Sequence, residues 1–221
     1  MVRRRAPNPI EVANNKDDEE FVAEYLRSNP AWSERWFHPQ TGAQYAVRFC
    51  RSRELSGDEL QACLSLVEET SGDHYKASSR GWHAGSKRRE MRESDMRYIL
   101  VADDSGSVRG FTSLMLCYEE GEPVVYCYEI HLKPELQGSG LGKTLMSFLE
   151  TIGMNVPTVK KVMLTCFLAN ADGLEFYKKI GFEKDEISPE PRKLRFGKVF
   201  TPDYMILSKG VGLSAKSNVL S

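Results

Sequence analysis

Apolar positions along the chain fall into two rhythms, and their alternation predicts the elements. Residues 124–132 (VVYCYEIHL) are β-branched, aromatic and apolar, the composition of a buried strand. Downstream, Leu145, Met146, Phe148, Leu149 and Ile152 recur at helical spacing within residues 143–152. The same reading places strands at residues 44–51, 98–102, 110–118, 161–167, 182–184 and 204–207. A capping box, Ser56 to Glu59, opens a helix carrying Leu60, Cys63, Leu64 and Val67. Residues 72–85 are rich in Ser, Gly and aromatics, and residues 87–93 form a charged second helix or turn. Residues 170–180 form a short helix closed by Gly181. Turns fall at residues 103–106 and 119–123, and residues 187–202, with three prolines and the cations Arg192, Lys193, Arg195 and Lys198, read as a long loop. The order β-α-α-β-β-β-α-β-α-β-β predicts an α/β domain around a mixed sheet.

Before the first strand lies a charged segment, residues 10–29. Val12, Phe21, Val22, Tyr25 and Leu26 give it an apolar stripe, ended by Pro30, which suits a helix packed on the outside of the domain. Trp32, Trp36 and Phe37 are expected to pin this extension to the core. The predicted organisation is therefore an extension at residues 1–40, a domain at 41–209 and a flexible tail at 210–221. Arg3-Arg4-Arg5 reads as a solvated terminus.

Composition narrows the classes. At 221 residues, 41% hydrophobic and 28% charged, the chain suits one globular domain with a real core. A net charge of −1 gives no sign of nucleic-acid binding. The five cysteines are scattered without a C-x-x-C pair and read as reduced, mostly buried thiols; the four histidines lack ligand spacing, so no metal is expected. With no run of 18 apolar residues and no signal-peptide core, the expectation is a chain neither spanning a membrane nor secreted.

Between the strand at 124–132 and the following helix lies Gln137-Gly138-Ser139-Gly140-Leu141-Gly142-Lys143. Free backbone N–H groups and the helix dipole make such a junction an anion site, and glycines let the backbone approach a phosphate. Three phosphate-binding patterns compete here. A dinucleotide fingerprint fails because its third glycine falls one residue early. A Walker A loop fails because only three residues separate Gly138 from Gly142-Lys143-Thr144. The pattern Q/R-x-x-G-x-G/A is met by Gln137, Gly140 and Gly142. That loop resembles the pyrophosphate loop of the GNAT superfamily of acetyltransferases. Asn170 followed by Phe176-Tyr177 and Gly181-Phe182 resembles the superfamily's second signature. The resemblance implies the GNAT fold, an α/β architecture whose mixed, mostly antiparallel central sheet is flanked by helices.

Within the superfamily the chain resembles the NatD-type Nα-acetyltransferases. The similar residues are Tyr126-Cys-Tyr128-Glu129, Gly140-Leu-Gly-Lys143, residues 160–165, Gly81-Trp82 with Lys-Arg-Arg-Glu-Met beyond it, and Tyr204-Met-Ile-Leu-Ser. The likeness spans roughly residues 45–208. It implies acetyl transfer from acetyl-CoA to the N-terminal serine amine of histone H4 and histone 2A, by direct attack in a ternary complex. It implies no direct nucleic-acid or membrane partner, a monomer, and presence in cytoplasm and nucleus. Cofactor contacts implied by position are Ile130, His131 and Leu132 through their backbone edge, the loop Gln137, Gly138, Ser139, Gly140, Leu141, Gly142 and Lys143 for the pyrophosphate, and Asn170. Substrate contacts implied are Tyr75, Trp82, Cys117, Tyr118, Glu119, Tyr126, Tyr128, Thr165 and Tyr204. Three departures stand out. Cys117 occupies an acidic position of the family, Arg80 precedes Gly81 where the human-type pattern has an aromatic residue, and Gln137-Gly-Ser replaces a basic triplet.

The chemistry also follows from the residues. An α-amine has a pKa of about 8, so a modest base suffices. Glu129, a carboxylate on an otherwise apolar strand, is either partly wet or functional, and as a base it would act directly or through a water. A backbone N–H of residues 130–132 is the natural oxyanion donor. Tyr177 is the superfamily's usual proton donor to the thiolate. Glu119, Glu120 and Glu122 share one turn and can read an arginine in a Ser-Gly-Arg-Gly tail. Other readings stay open: a GNAT enzyme acting on lysine or a small amine, where the acceptor groove should be open at both ends; a GNAT-like binding module without activity; and a nucleotide hydrolase.

Overall fold

The computed structural model describes residues 7–193, 195–197 and 199–212. In chain order the helices are α1 (Pro9–Asn15), α2 (Asp18–Phe21, continued by a wide π-type turn over Val22–Leu26), α3 (Gly57–Ala77), α4 (Ala84–Glu90), α5 (Leu141–Asn155) and α6 (Ala171–Lys179). The strands are β1 (Arg35–Phe37), β2 (Gln44–Arg51), β3 (Arg97–Ala102), β4 (Val108–Glu119), β5 (Glu122–Leu132), β6 (Lys161–Phe167), β7 (Glu183–Lys184), β8 (Arg192–Lys193), β9 (Val199–Phe200) and β10 (Tyr204–Gly210). Eight strands form one sheet in the order β1-β2-β3-β4-β5-β6-β10-β7, antiparallel except where β5 meets β6; β8 and β9 form a separate hairpin. No described helix is long and apolar enough to cross a membrane.

Each face of the sheet buries its own core. On one face, Leu141, Leu145, Phe148, Leu149 and Ile152 of α5 pack with Phe21, Tyr25 and Leu26. On the other, Leu60, Cys63, Leu64 and Val67 of α3 pack with Tyr98, Leu100 and Phe111. All four α3 positions follow the 3.6-residue period that marked the helix in sequence, and Ser56 and Glu59 form the reciprocal cap, with N–H···O distances of 3.1 and 2.9 Å. α3 nevertheless runs through Gly72 to Ala77. Tyr75 lodges against Trp82 and Phe167, with ring centroids at 5.3 and 4.9 Å, and this packing carries the helix past the glycine.

Three sequence expectations need correction. The segment at residues 10–29 is not one helix. Asp17 makes a new capping box with Glu20 and restarts the helical phase, so Ile10 and Ala13 are buried while Val12 is 40% exposed. β1 is an additional strand, paired with β2, and Trp36 packs on Tyr45. The stretch taken as one long loop contains the β8–β9 hairpin, with Arg192 stacked over Phe200. Of the proposed tail, Gly210 still belongs to β10 and Val211 is buried; its remainder from residue 213, and Arg3-Arg4-Arg5, lie outside the described residues.

Arg97 fastens the N-terminal helices to the sheet. Its guanidinium donates to the carbonyls of Ala13, Asn14 and Lys16 at 3.2, 3.2 and 2.9 Å, satisfying the open end of α1. It also donates to Asp18 Oδ1 at 3.1 Å and stacks 4.1 Å from the Phe21 ring. Burial and the neighbouring Arg51 push its pKa down to about 10, so it remains charged at neutral pH. Arg97→Met keeps much of the volume but removes these donors. It is expected to lower the unfolding free energy by about 3 kcal/mol, measured by denaturant titration, and to expose residues 7–26 to limited proteolysis.

Candidate active site

The glycine loop and the end of β5 form the floor of a cleft of about 650 Å³ that reaches Ile130, Gly138, Gly140, Lys143, Asn170 and Tyr177. Gly138 (φ +69°) and Gly140 (φ +90°) are left-handed, and no atom lies within 4 Å of where a Cβ would stand on either. Gly140 is the N-cap of α5 and provides no side chain to satisfy the first-turn N–H groups. β6 pairs with β5 only from Val124↔Lys161 to Cys127↔Leu164, so the β6-facing backbone edge of β5 is unpaired from Tyr128 onward. A helix N-terminus beside an open strand edge fits a ligand with a phosphate at one end and an amide-bearing arm at the other.

The sequence-derived cofactor residues gather here with distinct duties. Ile130 and Leu132 turn their side chains to the α5 core and leave the strand edge open. Gln137 braces the turn by donating to the Leu132 carbonyl at 3.0 Å, and the Ser139 hydroxyl donates to the Leu136 carbonyl at 2.5 Å. Leu141 is buried, while Gly142 lets α6 approach: a Cβ there would stand 3.4 Å from the Phe176 ring. Asn170 caps α6 by accepting from Gly173 N at 2.9 Å and lines the cleft.

A second, smaller cavity of about 80 Å³ adjoins the cleft, and Ile130, His131, Asn170 and Tyr177 line both. A bulge in β5 shapes it. Ser113 pairs with Glu129 and Leu114 with Cys127, leaving Tyr128 as an extra residue. Strand alternation is thereby reset. Cys127 belongs to the α5 core, whereas Tyr128 packs with the α3–α4 core and Glu129 meets α3 and α4 on that same face.

Glu129 is 7% exposed and uses both oxygens. Oε1 accepts from Lys87 Nζ at 2.7 Å and Tyr75 Oη at 3.2 Å; Oε2 accepts from His131 Nε2 at 2.5 Å. Burial alone would push its carboxyl up, but Lys87 and His131 outweigh burial and hold it down at about 2. Lys87 is buried as well, yet Glu129, Tyr75 and Glu90 hold its pKa well above the ordinary lysine value. It also reaches Glu90 at 2.5 Å, so one ammonium serves two carboxylates. The Tyr177 hydroxyl is kept protonated by burial.

Most sequence-derived substrate residues converge around this group. Tyr75 stacks edge-on with Trp82, the Tyr126 and Tyr128 rings lie 5.2 Å apart, and Tyr126 Oη bonds Thr165 Oγ1 at 2.6 Å. Cys117 Sγ lies 3.9 Å from Glu119 Oε1, so the Glu119 carboxylate stands beside the position where the family has its acid. Three assignments change. Tyr118 follows strand alternation to the opposite face, where its hydroxyl donates to Asn8 Oδ1 at 2.9 Å. Tyr204 pairs with Phe167 but lines a separate cavity of about 140 Å³ beside the β8–β9 hairpin. Glu122 is held by Lys160 at 2.8 Å and Lys161 at 3.4 Å, leaving Glu119 and Glu120 of the acidic turn. Lys87, Glu90 and Thr70 were not singled out from sequence. A lysine at the first position of the Lys-Arg-Arg-Glu-Met stretch was the available signal for Lys87. No group suited to a metal ion occurs among the described residues.

The sequence pattern of the Acetyltransferase (GNAT) family matches residues 58–182, more than half of the chain, and the chain belongs to that family. It is 30% identical over 160 residues to N-alpha-acetyltransferase 40 of Saccharomyces cerevisiae, a match covering 61% of this chain and 55% of the yeast protein; it thus spans about half of that relative's length. Among solved structures, Arabidopsis thaliana NAA60 in complex with a bisubstrate analogue superposes with a TM-score of 0.52 at 12% identity, covering 75% of this chain and 98% of that one. The PaiA N-acetyltransferase of Thermoplasma acidophilum in complex with coenzyme A gives 0.51 at 20% identity, covering 75% and 99%. These likenesses support the same fold.

The depressed Glu129 pKa makes its contribution to stability present above the ordinary value of 4.5 and lost as pH falls toward about 2. Lys87→Met removes the main attraction, so the Glu129 value rises and the stability lost between those limits shrinks. The variant is expected to be less stable at pH 7 by about 3 kcal/mol and to show a flatter acid profile, measured by denaturant midpoints between pH 5 and pH 2.

Proposed function

We propose that this protein is an Nα-acetyltransferase that moves acetyl from acetyl-CoA to the N-terminal amine of a protein, with the N-terminal serine of histone H4 and histone 2A as its substrates. One observation carries this reading. The α3–α4 loop is tied to the β9–β10 loop by Ser79 N donating to Asp203 Oδ2, and Phe167 and Tyr75 pack beneath. Tyr75 and Phe167 also line the cavity of about 80 Å³, together with Tyr128, Glu129 and Thr165. A cavity that small suits a chain end with a small first residue; a lysine acceptor inside a chain needs a groove open at both ends. Family membership and the likeness to the yeast Nα-acetyltransferase support the same reading.

Acetyl-CoA, when bound, supplies an activated thioester carbonyl. The loop from Gly138 to Lys143 offers N–H groups to its phosphates, and the open edge of Ile130–Leu132 offers backbone partners to its arm. Tyr177 stands where the two cavities meet and holds a proton at its hydroxyl. Glu129 accepts a hydrogen bond from the incoming amine or from a water on it. Glu119 and Glu90 act on the Tyr128 hydroxyl and so place negative charge beside the cavity, suited to an arginine two residues along the tail.

A peptide beginning Ser-Gly-Arg-Gly with a free amine is expected to accept acetyl from acetyl-CoA. The same peptide with a blocked N-terminus and an internal lysine is expected to remain unmodified. Mass spectrometry distinguishes the two, and modification of the blocked peptide would reassign the enzyme to lysine. Glu129→Gln is expected to reduce turnover about 100-fold while the acetyl-CoA Kd, measured by calorimetry, changes less than about twofold. Undiminished turnover at saturating peptide would remove Glu129 from the reaction.

A further inference from the structure

Glu129 is poorly suited to keep a proton, because its carboxylate is already committed to Lys87, Tyr75 and His131. The hydrogen bonds continue past it. His131 Nδ1 lies 2.5 Å from Thr70 Oγ1, and Thr70 Oγ1 lies 2.8 Å from the Leu66 carbonyl. Thr70 and His131 both line the larger cleft, and His131 also lines the small cavity.

The donor inventory restricts the proton positions. A carboxylate oxygen only accepts, so His131 Nε2 carries a hydrogen toward Glu129. When the imidazole is neutral, Nδ1 is bare and the Thr70 hydroxyl donates to it. When the imidazole is charged, Nδ1–H donates to Thr70, and Thr70 turns its own hydrogen to the Leu66 carbonyl. Every group is satisfied in both states, and uptake of a proton adds a hydrogen bond.

We propose that His131 is the proton store of this site, loaded and unloaded at Nδ1 through the Thr70 hydroxyl. The proposal rests on the acetyl-transfer reading above. On loading, an N–H bond of the acceptor amine breaks and the Thr70 oxygen receives that proton, directly or through a water. Thr70 passes its original hydroxyl proton to Nδ1, so the threonine stays neutral and His131 gains one positive charge. On unloading, the same hydroxyl returns a proton to the departing thiolate, and no other reactant is consumed. The titratable groups around His131 are Glu129 on its own strand, Tyr75 and His74 on α3, Tyr177 on α6, and Lys87 of α4 acting through Glu129; from β4 the Phe111 ring lies 5.7 Å away. Glu69 and Lys133 pair with each other. Glu129 thereby becomes the group that orients the imidazole.

Two-bond ¹H–¹⁵N spectra of protein labelled in histidine, recorded across pH with and without coenzyme A, test this without turnover; His131→Gln assigns the signal among the four histidines. The neutral ring is expected to carry its hydrogen on Nε2 and to gain the second on Nδ1, with a midpoint lowered by Thr70→Val. In the peptide assay, kcat/KM is expected to fall on the acid side with that midpoint. His131→Gln keeps a donor to Glu129, yet should lose that acid limb and about 100-fold in kcat, with peptide KM within about threefold. Thr70→Ser should preserve the limb, and Thr70→Val should shift it with the NMR midpoint. A neutral ring protonated at Nδ1, or an acid limb unchanged in His131→Gln, overturns the proton store. If no peptide is acetylated, the acetyl-transfer reading fails, while the tautomer and its dependence on Thr70 still decide whether the store exists.

Discussion

Glu129 is ionised inside the protein because an ammonium and an imidazole meet its two oxygens from different directions. A carboxylate buried alone would take up a proton, and a lysine buried alone would lose one. Held together, they require α4 to sit where Lys87 can reach β5, and α3 to carry Tyr75 into the gap between them. The loop between these two helices is tied by Ser79 to Asp203 beside β10. The helical cover on this face therefore has its position set by electrostatics as much as by apolar packing.

Backbone geometry on β5 supplies the other half of the design. The bulge at Tyr128 turns consecutive residues toward one face, placing a tyrosine and a carboxylate side by side. At the same point the strand leaves its parallel partner and its polar edge is open. Left-handed glycines then bring the chain round into α5. The strand end and the turn after it thus contribute acid–base groups, an open backbone edge and the approach to an anion site within the 16 residues from Glu129 to Thr144.

Much of this was legible in the sequence because it depends on local patterns. The glycine spacing gave the anion loop, the capping box gave α3, and β-branched runs gave the inner strands. Glu129 stood out as a charge in an apolar run. What escaped depends on partners far along the chain. Lys87 looked like one cation among several, and only the fold brings it to a carboxylate 42 residues away. Thr70 resembled any polar residue on a helix until His131 was placed against it. Tyr118 was misassigned because proximity in sequence does not reveal which face of a strand a side chain takes, and the phase break at Asp17 hid the burial of Ile10 behind an apparent stripe through Val12.

The sharing of Lys87 between Glu129 and Glu90 leaves this contact group with one more carboxylate than ammonium. In the proposed reaction the acceptor arrives as a cation, gives one proton to solvent before the transfer, and departs as a neutral amide. The electrostatic attraction that helps a free chain end enter is therefore absent for the acetylated one. Neutralisation of the terminus thus removes one of the attractions that would hold the modified tail.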